Sequence, residues 1–105
     1  MNYNDQIVKI ITILKQKYHP LKIYLFGSIV YGYLDKYSDV DMMIVKDSVL
    51  PKSRRSVEVE KLLSGIEIPT DFLIFTPQEI QECKNITNHI VNTILKKGKL
   101  IYEQN

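Results

Sequence analysis

The chain has 105 residues, of which 45% are hydrophobic and 25% are charged. This length suits one domain, residues 1–105, and the composition is ordinary for a globular protein, which excludes long disorder. The 14 Lys and Arg residues against 12 Asp and Glu residues leave a net charge of +2. That surplus is too small to indicate nucleic-acid binding, which needs a concentrated basic face.

Cysteine content and hydropathy limit the cellular setting. Cys83 is the only cysteine, so no disulfide can form within the chain. No apolar run approaches the ~20 residues needed to cross a bilayer, and no basic-then-apolar leader opens the sequence. We therefore expect a cytoplasmic protein with no membrane contact.

The first half of the chain predicts helix, strand, short helix and strand. Apolar residues at helical spacing predict a helix over residues 5–18, with Asn4 as its N-cap and Pro20 just beyond its end. Residues 21–26 form a compact apolar run that Gly27 breaks, which indicates a buried strand. Residues 28–32 have room for a turn or two of helix, and residues 33–38 are typical of a polar loop. The nearly continuous apolar run at 40–45 predicts a strand covered on both faces.

The second half predicts three helices and two strands. Pro51 opens a helix that reaches about residue 64, with Gly65 in the C′ position. Residues 70–75 are a third strand, and Thr76-Pro77-Gln78-Glu79 then forms a capping box with proline at the first helical position. A further helix around residues 90–95 ends at Gly98, and residues 100–102 are a short final strand. Strands alternating with helices predict an α/β (α+β) fold, with helices packed on a small sheet.

Three aspartates stand at the heads of the second and third predicted strands. Asp39 and Asp41 point to the same side of an extended segment, about 7 Å apart. Asp71 joins them if the two strands are neighbours. Carboxylates held together in a low dielectric raise one another's pKa, and a hard cation such as Mg²⁺ relieves that cost. Three carboxylates can hold two such cations, although Asp39 and Asp71 also suit ordinary turns at the entry to a strand.

Gly27 and Ser28 follow the first strand and open the short helix. Glycine lets backbone N–H groups approach a ligand closely, and the start of a helix favours an anion. Ser28 adds a hydroxyl donor. The pair suits a phosphate site without the Lys-Ser/Thr ending of a P-loop, and an ordinary strand-to-helix turn also explains it.

These motifs together resemble a known superfamily. Gly27-Ser28-Ile29-Val30-Tyr31-Gly32 and Ser38-Asp39-Val40-Asp41 are similar to the G-S-x-x-x-G … S-D-x-D signature of nucleotidyltransferases with a DNA polymerase β-like fold. The chain looks most like the minimal nucleotidyltransferases (MNT-type antitoxins), and the likeness extends to its C-terminal Lys97-Gly98-Lys99-Leu100-Ile101-Tyr102-Glu103. It implies a polymerase β-like fold with a small mixed β-sheet.

The resemblance also implies a reaction and the residues that carry it. Asp39 and Asp41 would ligate two Mg²⁺ ions, and Asp71 would share one of them and act as the base. Gly27 and Ser28 would hold the β- and γ-phosphates of ATP while an acceptor hydroxyl attacks the α-phosphate. Minimal nucleotidyltransferases commonly transfer AMP to a tyrosine of a HEPN-type toxin, so we expect such a toxin as partner. Because one small domain covers only one wall of a nucleotide, we expect a partner chain, a homodimer or both.

One departure from the family pattern leaves an alternative open. Many minimal domains carry basic residues inside the G-S-x-x-x-G segment, where this chain has Ile29, Val30 and Tyr31. A basic residue elsewhere could take over the neutralisation of the triphosphate, and the candidates are Lys36, Lys46, Arg54 and Arg55. Two basic clusters are otherwise typical of solvated helix ends: Lys52, Arg54 and Arg55, and Lys96, Lys97 and Lys99. The alternative function is a non-catalytic antitoxin that masks its partner, with the apolar segment and Tyr31, Tyr33 and Tyr37 as its contact surface.

Overall fold

The elements follow the predicted order in a computed structural model, which describes residues 3–31 and 39–105. In chain order they are α1 (Tyr3–Lys17), β1 (Lys22–Phe26), α2 (Ser28–Tyr31), β2 (Val40–Val45), α3 (Lys52–Leu62), β3 (Thr70–Phe75), α4 (Pro77–Lys84), α5 (Ile90–Lys97) and β4 (Lys99–Glu103). The predicted loop over residues 33–38 lies outside the described residues, together with Gly32.

The four strands form one mixed sheet in the order β3-β2-β1-β4. β1 is antiparallel to both β2 and β4, whereas β2 and β3 are parallel. A parallel pair needs a crossover connection, and α3 supplies it. The predicted small mixed sheet with packed helices is confirmed.

Helices cover both faces of the sheet. Side chains from α1 and α3 pack on one face, and side chains from α4 and α5 pack on the other. Successive residues of β2 join opposite clusters, with Met42 and Ile44 on the α1/α3 face and Met43 and Val45 on the α4/α5 face. This double coverage is why the β2 sequence is apolar almost throughout instead of alternating.

The capping box at the start of α4 is confirmed. The Thr76 hydroxyl accepts a hydrogen bond from the Glu79 amide at 3.2 Å, and the Glu79 carboxylate accepts one from the Thr76 amide at 2.9 Å. Pro77 occupies the first helical position. His89 caps α5 in a similar way, because its Nδ1 accepts from the Val91 amide. These contacts satisfy amides that a helix start otherwise leaves without partners.

Two predicted helix ends are wrong. α1 already includes Tyr3, so Asn4 lies inside the helix and is not its N-cap. α3 ends at Leu62 with Leu63 as its C-cap, and Gly65 does not adopt the left-handed conformation expected at C′. The physical reason is burial: Leu63 is only 7% exposed, and its packing in the core turns the chain before the glycine.

Gly98 ends α5 as predicted. Glycine is needed there because of close packing and not because of an unusual backbone conformation. Its φ is −74°, which any residue can adopt. A side chain there would place its Cβ 2.5 Å from the carbonyl oxygen of Ile94 and 2.9 Å from that of Leu25. Glycine therefore allows the turn between α5 and β4 to lie directly against β1.

Among residues 3–31 and 39–105, none of the helices combines the length and apolar character that crossing a membrane requires.

Candidate active site

Asp41 and Asp71 lie side by side on adjacent strands. They are register partners in the parallel β2–β3 pair, and Phe26 of β1 is the partner of Asp41 on its other side. Phe26, Asp41 and Asp71 therefore form a row across three strands, which we call the acid row. It lies where β1 ends and where β2 and β3 begin.

The acid row belongs to the α4/α5 face of the sheet. Side chains of a strand alternate between faces, so Asp41 shares its face with Met43 and Val45, and Asp71 shares it with Leu73 and Phe75. The helices α4 and α5 pack on those further residues of the strands. Asp41 is half-buried and Asp71 is exposed, so the row combines partial desolvation with access for a ligand.

Asp39 is exposed and precedes β2, close enough to act on Asp41 electrostatically. Burial raises the pKa of Asp41 above its ordinary value of 3.8, and the negative charges of Asp71 and Asp39 raise it further. Phe26 is an apolar neighbour that helps to remove water from the Asp41 carboxylate. The structure thus places Asp39 and Asp71 near enough to Asp41 for both charges to act on its carboxylate.

Gly27 contacts the same carboxylate from the end of β1. Its φ of +76° lies in the left-handed region, where a side chain is strained. A Cβ on Gly27 would collide with Oδ2 of Asp41. Ser28 follows as the first residue of α2, half-buried. The predicted strand–Gly–Ser–helix turn is therefore adjacent to the predicted carboxylates, although the two motifs are separate in the sequence.

Lys46, Arg54 and Arg55, which could replace the missing basic residues of the G-S-x-x-x-G segment, all lie away from the acid row. Lys46 follows the far end of β2, about 16 Å along the strand from Asp41, and its Nζ donates to the Tyr18 carbonyl oxygen at 2.5 Å.

Arg55 is only 5% exposed and donates to the Ile74 carbonyl oxygen and the Glu79 carboxylate. Its interpretation as a solvated helix-end residue is therefore wrong. Arg54 lines a hollow between α1 and α3, on the opposite face from the acid row. Lys36 lies outside the described residues.

The donor chemistry of the three aspartates suits a divalent cation. Carboxylate oxygens are the ligands that Mg²⁺ prefers. The raised pKa of Asp41 reflects its burial first and then the charges of Asp71 and Asp39, and a bound cation would offset the cost of ionising it. In the parts of the chain that the structure describes, no three or more His, Cys, Asp or Glu side chains form a ready-made metal site. Asp39, Asp41 and Asp71 suit such an ion by the type of their donor atoms, and holding it would require their side chains to converge.

Sequence reasoning missed two features of this region. Phe26 was assigned only to a buried strand, and its position opposite Asp41 depends on the β1–β2 register. Lys99 was assigned to a solvated helix end, whereas it begins β4 and pairs with Leu25, two residues before Gly27. The sequence shows a basic residue directly after Gly98. Its position beside Leu25 follows only from the pairing of β4 with β1.

Comparisons with known proteins agree with this fold. A nucleotidyltransferase from Sulfolobus solfataricus is 17% identical with a TM-score of 0.66, over 95% of this chain and 79% of that one. A chain from a crystal structure of a toxin–antitoxin with AMP-PNP is 19% identical with a TM-score of 0.64, over 99% and 76% of the two chains. A chain from the structure of tri-AMPylated Shewanella oneidensis HEPN toxin in complex with MNT antitoxin is 22% identical with a TM-score of 0.55, over 96% and 72%.

A search among curated proteins finds no match. The family model described as polymerase beta, nucleotidyltransferase, matches residues 8–105, which is nearly the whole chain. The resemblance inferred from the Gly-Ser and Asp-x-Asp motifs is thereby confirmed, and the protein belongs to the polymerase beta nucleotidyltransferase family.

Proposed function

We propose that this protein is a Mg²⁺-dependent adenylyltransferase that transfers AMP from ATP to an acceptor hydroxyl, a tyrosine of a HEPN-type toxin. The observation that carries the proposal is the acid row, in which Asp41 and Asp71 are register partners and Gly27 contacts Asp41. In a member of this family, such a juxtaposition supports a phosphate-binding role for the Gly27-Ser28 turn beside the carboxylates. The function follows as an antitoxin that modifies its partner in the cytoplasm, where ATP is available.

The roles of the chain's residues follow from their positions. Gly27 presents its backbone without a side chain, and Ser28 adds a hydroxyl, so together they hold the β- and γ-phosphates. Asp39, Asp41 and Asp71 would hold Mg²⁺, which when bound neutralises phosphate charge and lowers the pKa of the attacking hydroxyl. Asp71 is exposed, and it accepts the proton of the acceptor hydroxyl.

The reaction is an in-line substitution at the α-phosphorus. The acceptor oxygen forms a bond to that phosphorus while the bond to the bridging oxygen breaks, and pyrophosphate leaves. No covalent intermediate with the protein is required. Positioning and charge neutralisation therefore supply most of the rate, as in other phosphoryl transfers.

Similar structures support the choice of nucleotide and acceptor. One is of a toxin–antitoxin with AMP-PNP, and another is of an AMPylated HEPN toxin with its MNT antitoxin. The candidate site lies at one end of the sheet, where Asp71 is exposed and Asp41 is half-buried. We propose that the remaining wall comes from the toxin or from a second copy of this chain.

The masking alternative rests on the apolar segment after Ser28. Ile29 and Val30 are partly buried and pack against the core on the α1 face, so folding accounts for them without a partner. The side chain of Tyr31 lies outside the description, as do Tyr33 and Tyr37. The apolar segment therefore gives the alternative less support than the acid row gives an enzyme.

Two measurements test the proposal. In the first, ATP is titrated calorimetrically into the protein with Mg²⁺, for the wild type, Asp41→Asn and the exposed control Asp47→Asn. We expect binding that needs Mg²⁺, is lost in Asp41→Asn and is kept in Asp47→Asn. Absence of binding in the wild type, or equal binding by all three proteins, would overturn the nucleotide site.

The second measurement follows the transferred group. Incubation with a HEPN toxin and ATP labelled at the α-phosphate should label the toxin, whereas ATP labelled at the γ-phosphate should not. Asp41→Asn and Asp71→Asn should abolish the label. If both variants still neutralise the toxin and no α-label is transferred by the wild type, the protein acts by masking.

A further inference from the structure

A surface hollow of about 580 Å³ lies between α1 and α3, on the face of the sheet opposite the acid row. We call it the α1/α3 hollow. Its apolar lining comes from Leu50, Val57 and Leu62. Val57 is 47% exposed, and Val49, next to Leu50 in the chain, is fully exposed. Apolar side chains grouped around a concave surface are typical of a place where another molecule packs.

The helix α3 has two different sides. Its buried residues, Arg55 and Val59, are four positions apart and lie on the side that faces the protein interior. Arg54, Val57 and Lys61 follow the spacing i, i+3 and i+7, which places them together on another side, toward the hollow. The packing of α3 on the sheet therefore does not account for the apolar side chain of Val57.

Three cations border the hollow. Lys17 comes from α1, and Arg54 and Lys61 come from α3, whereas Glu58 is the one acidic residue that the structure places in the lining. None of the three cations takes part in the two ion pairs found between described residues. Their charge is therefore available to a ligand, and the hollow favours an acidic one.

The length of the hollow suits two turns of a helix. Its α3 lining extends from Arg54 to Leu62, about 12 Å along the axis, and Arg54 and Lys61 are about 10 Å apart on it. A helix that lies alongside α3 repeats its own side chains at the same spacing. Two carboxylates seven residues apart can then meet Arg54 and Lys61, while apolar side chains between them reach Val57.

The described helices of a second copy of this chain do not supply such an occupant. The helices that expose a large apolar residue are α1 with Val8, α3 with Val57 and α5 with Ile90. Each of these helices has more basic than acidic residues, so each would bring like charge to the three cations. The charge of the hollow therefore indicates a different protein as its partner.

We infer that the α1/α3 hollow binds an acidic amphipathic helix of a partner protein. The apolar residues of that helix pack on Leu50, Val57 and Leu62, and its carboxylates pair with the bordering cations. Because the hollow and the acid row lie on opposite faces of the sheet, a partner held here leaves the candidate active site open. The inference is independent of the proposed reaction.

Fluorescence anisotropy with labelled helical peptides of about 16 residues tests the inference. One peptide has leucine at helical spacing with glutamate on both flanks, and a second has lysine in place of each glutamate. We expect only the acidic peptide to bind, and we expect it to shift the amide signals of α3 in ¹⁵N-labelled protein. Failure of the acidic peptide to bind, or equal binding of both peptides, would overturn the inference. A labelled single-stranded RNA that shifts the same signals in preference to the peptide would also overturn it.

Variants on the surface of the hollow locate the binding. Lys61→Glu replaces attraction with repulsion, and Val57→Asp removes an apolar contact, so each should weaken binding of the acidic peptide about tenfold. The matched controls are Lys84→Glu on α4 and Val8→Asp on α1, which change equally exposed residue types elsewhere and should bind like the wild type. Thermal melting checks that each variant is folded. Unchanged affinity in either hollow variant, or an equal loss in its control, would refute the proposed surface.

Discussion

Asp41 and Asp71 face each other across the only parallel pairing among the described strands, with Gly27 against the Asp41 carboxylate. Two carboxylates at this spacing repel each other, and partial burial of Asp41 adds to the cost. The arrangement therefore weakens the fold, which is the relation between stability and function expected if these carboxylates form the proposed ligand site.

Asp41→Asn should stabilise the metal-free protein at neutral pH. The pKa of Asp41 is higher in the folded state than its ordinary 3.8. As pH rises through 3.8 the unfolded chain ionises first, so stability is lost until the pH passes the folded pKa, and the penalty is then constant. Melting with a chelator present should show a gain of a few degrees at pH 7 that disappears below pH 3.8. Asp47→Asn is the control, and an equal gain there, or a lower melting temperature in Asp41→Asn, would contradict the account.

The effects of Asp41 and Asp71 should not add. Once Asp71 is replaced by Asn, Asp41 has lost one of the charges that raise its pKa. The stabilisation from Asp41→Asn should therefore be smaller in the Asp71→Asn background than in the wild type. Urea unfolding of the two single variants and the double variant measures this coupling. Strict additivity would show that the two carboxylates do not interact.

Gly27→Ala should destabilise the protein, whereas Gly65→Ala should not. Alanine at Gly27 must adopt a positive φ and meets the Asp41 carboxylate, so we expect a loss of about 2 kcal/mol or more in the free energy of unfolding. A Cβ at Gly65 meets nothing within 4 Å. Its replacement should change stability by about 0.5 kcal/mol or less. Chemical denaturation compares the two, and similar values at both positions would refute the role given to Gly27.

Arg55→Ala should be strongly destabilising in comparison with its neighbour. Arg55 is buried and joins α3 to the Leu50 and Ile74 carbonyl oxygens and to Glu79. Its removal leaves buried partners unsatisfied, at a cost of about 3 kcal/mol. Arg54→Ala removes the same side chain from an exposed position and should cost less than about 0.5 kcal/mol. Urea denaturation of both variants is decisive, since equal costs would mean that the buried network contributes little.

Glu79→Gln should lose stability in a pH-dependent manner. The hydrogen bond from Arg55 holds the pKa of Glu79 below its ordinary 4.5. A folded-state pKa that is lowered gives stability that is present above pH 4.5 and is lost as the pH falls through the folded value. Glutamine keeps the capping geometry, so the difference from the wild type should reflect the charge. We expect the difference in melting temperature to be larger at pH 7 than at pH 3, and a constant difference would be contrary to this assignment.

The sequence predicted those parts of the site whose signal is local. Asp41 was identified because an aspartate inside an apolar run is hard to explain as a turn, and Gly27 because it interrupts such a run. The pairing of Asp41 with Asp71 depends on β2 and β3 being neighbours, which no local feature of the sequence indicates. Lys99 was missed for the same reason, because its position depends on β4 pairing with β1. Gly65 is a common residue at a helix end, but α3 ends earlier because Leu63 is buried in the core.

The acid row spans three strands, and this has a consequence for folding. A β1–β2 hairpin alone brings Gly27 close to Asp41. The Asp71 carboxylate joins them only after α3 has crossed over and β3 has paired with β2. Non-local parallel pairing of this kind is slow compared with local contacts. The full concentration of negative charge therefore exists only once β1, β2 and β3 have assembled. Chains in which β3 has not docked lack the repulsion between Asp41 and Asp71, and a cation that needs both carboxylates would stabilise only the assembled strands.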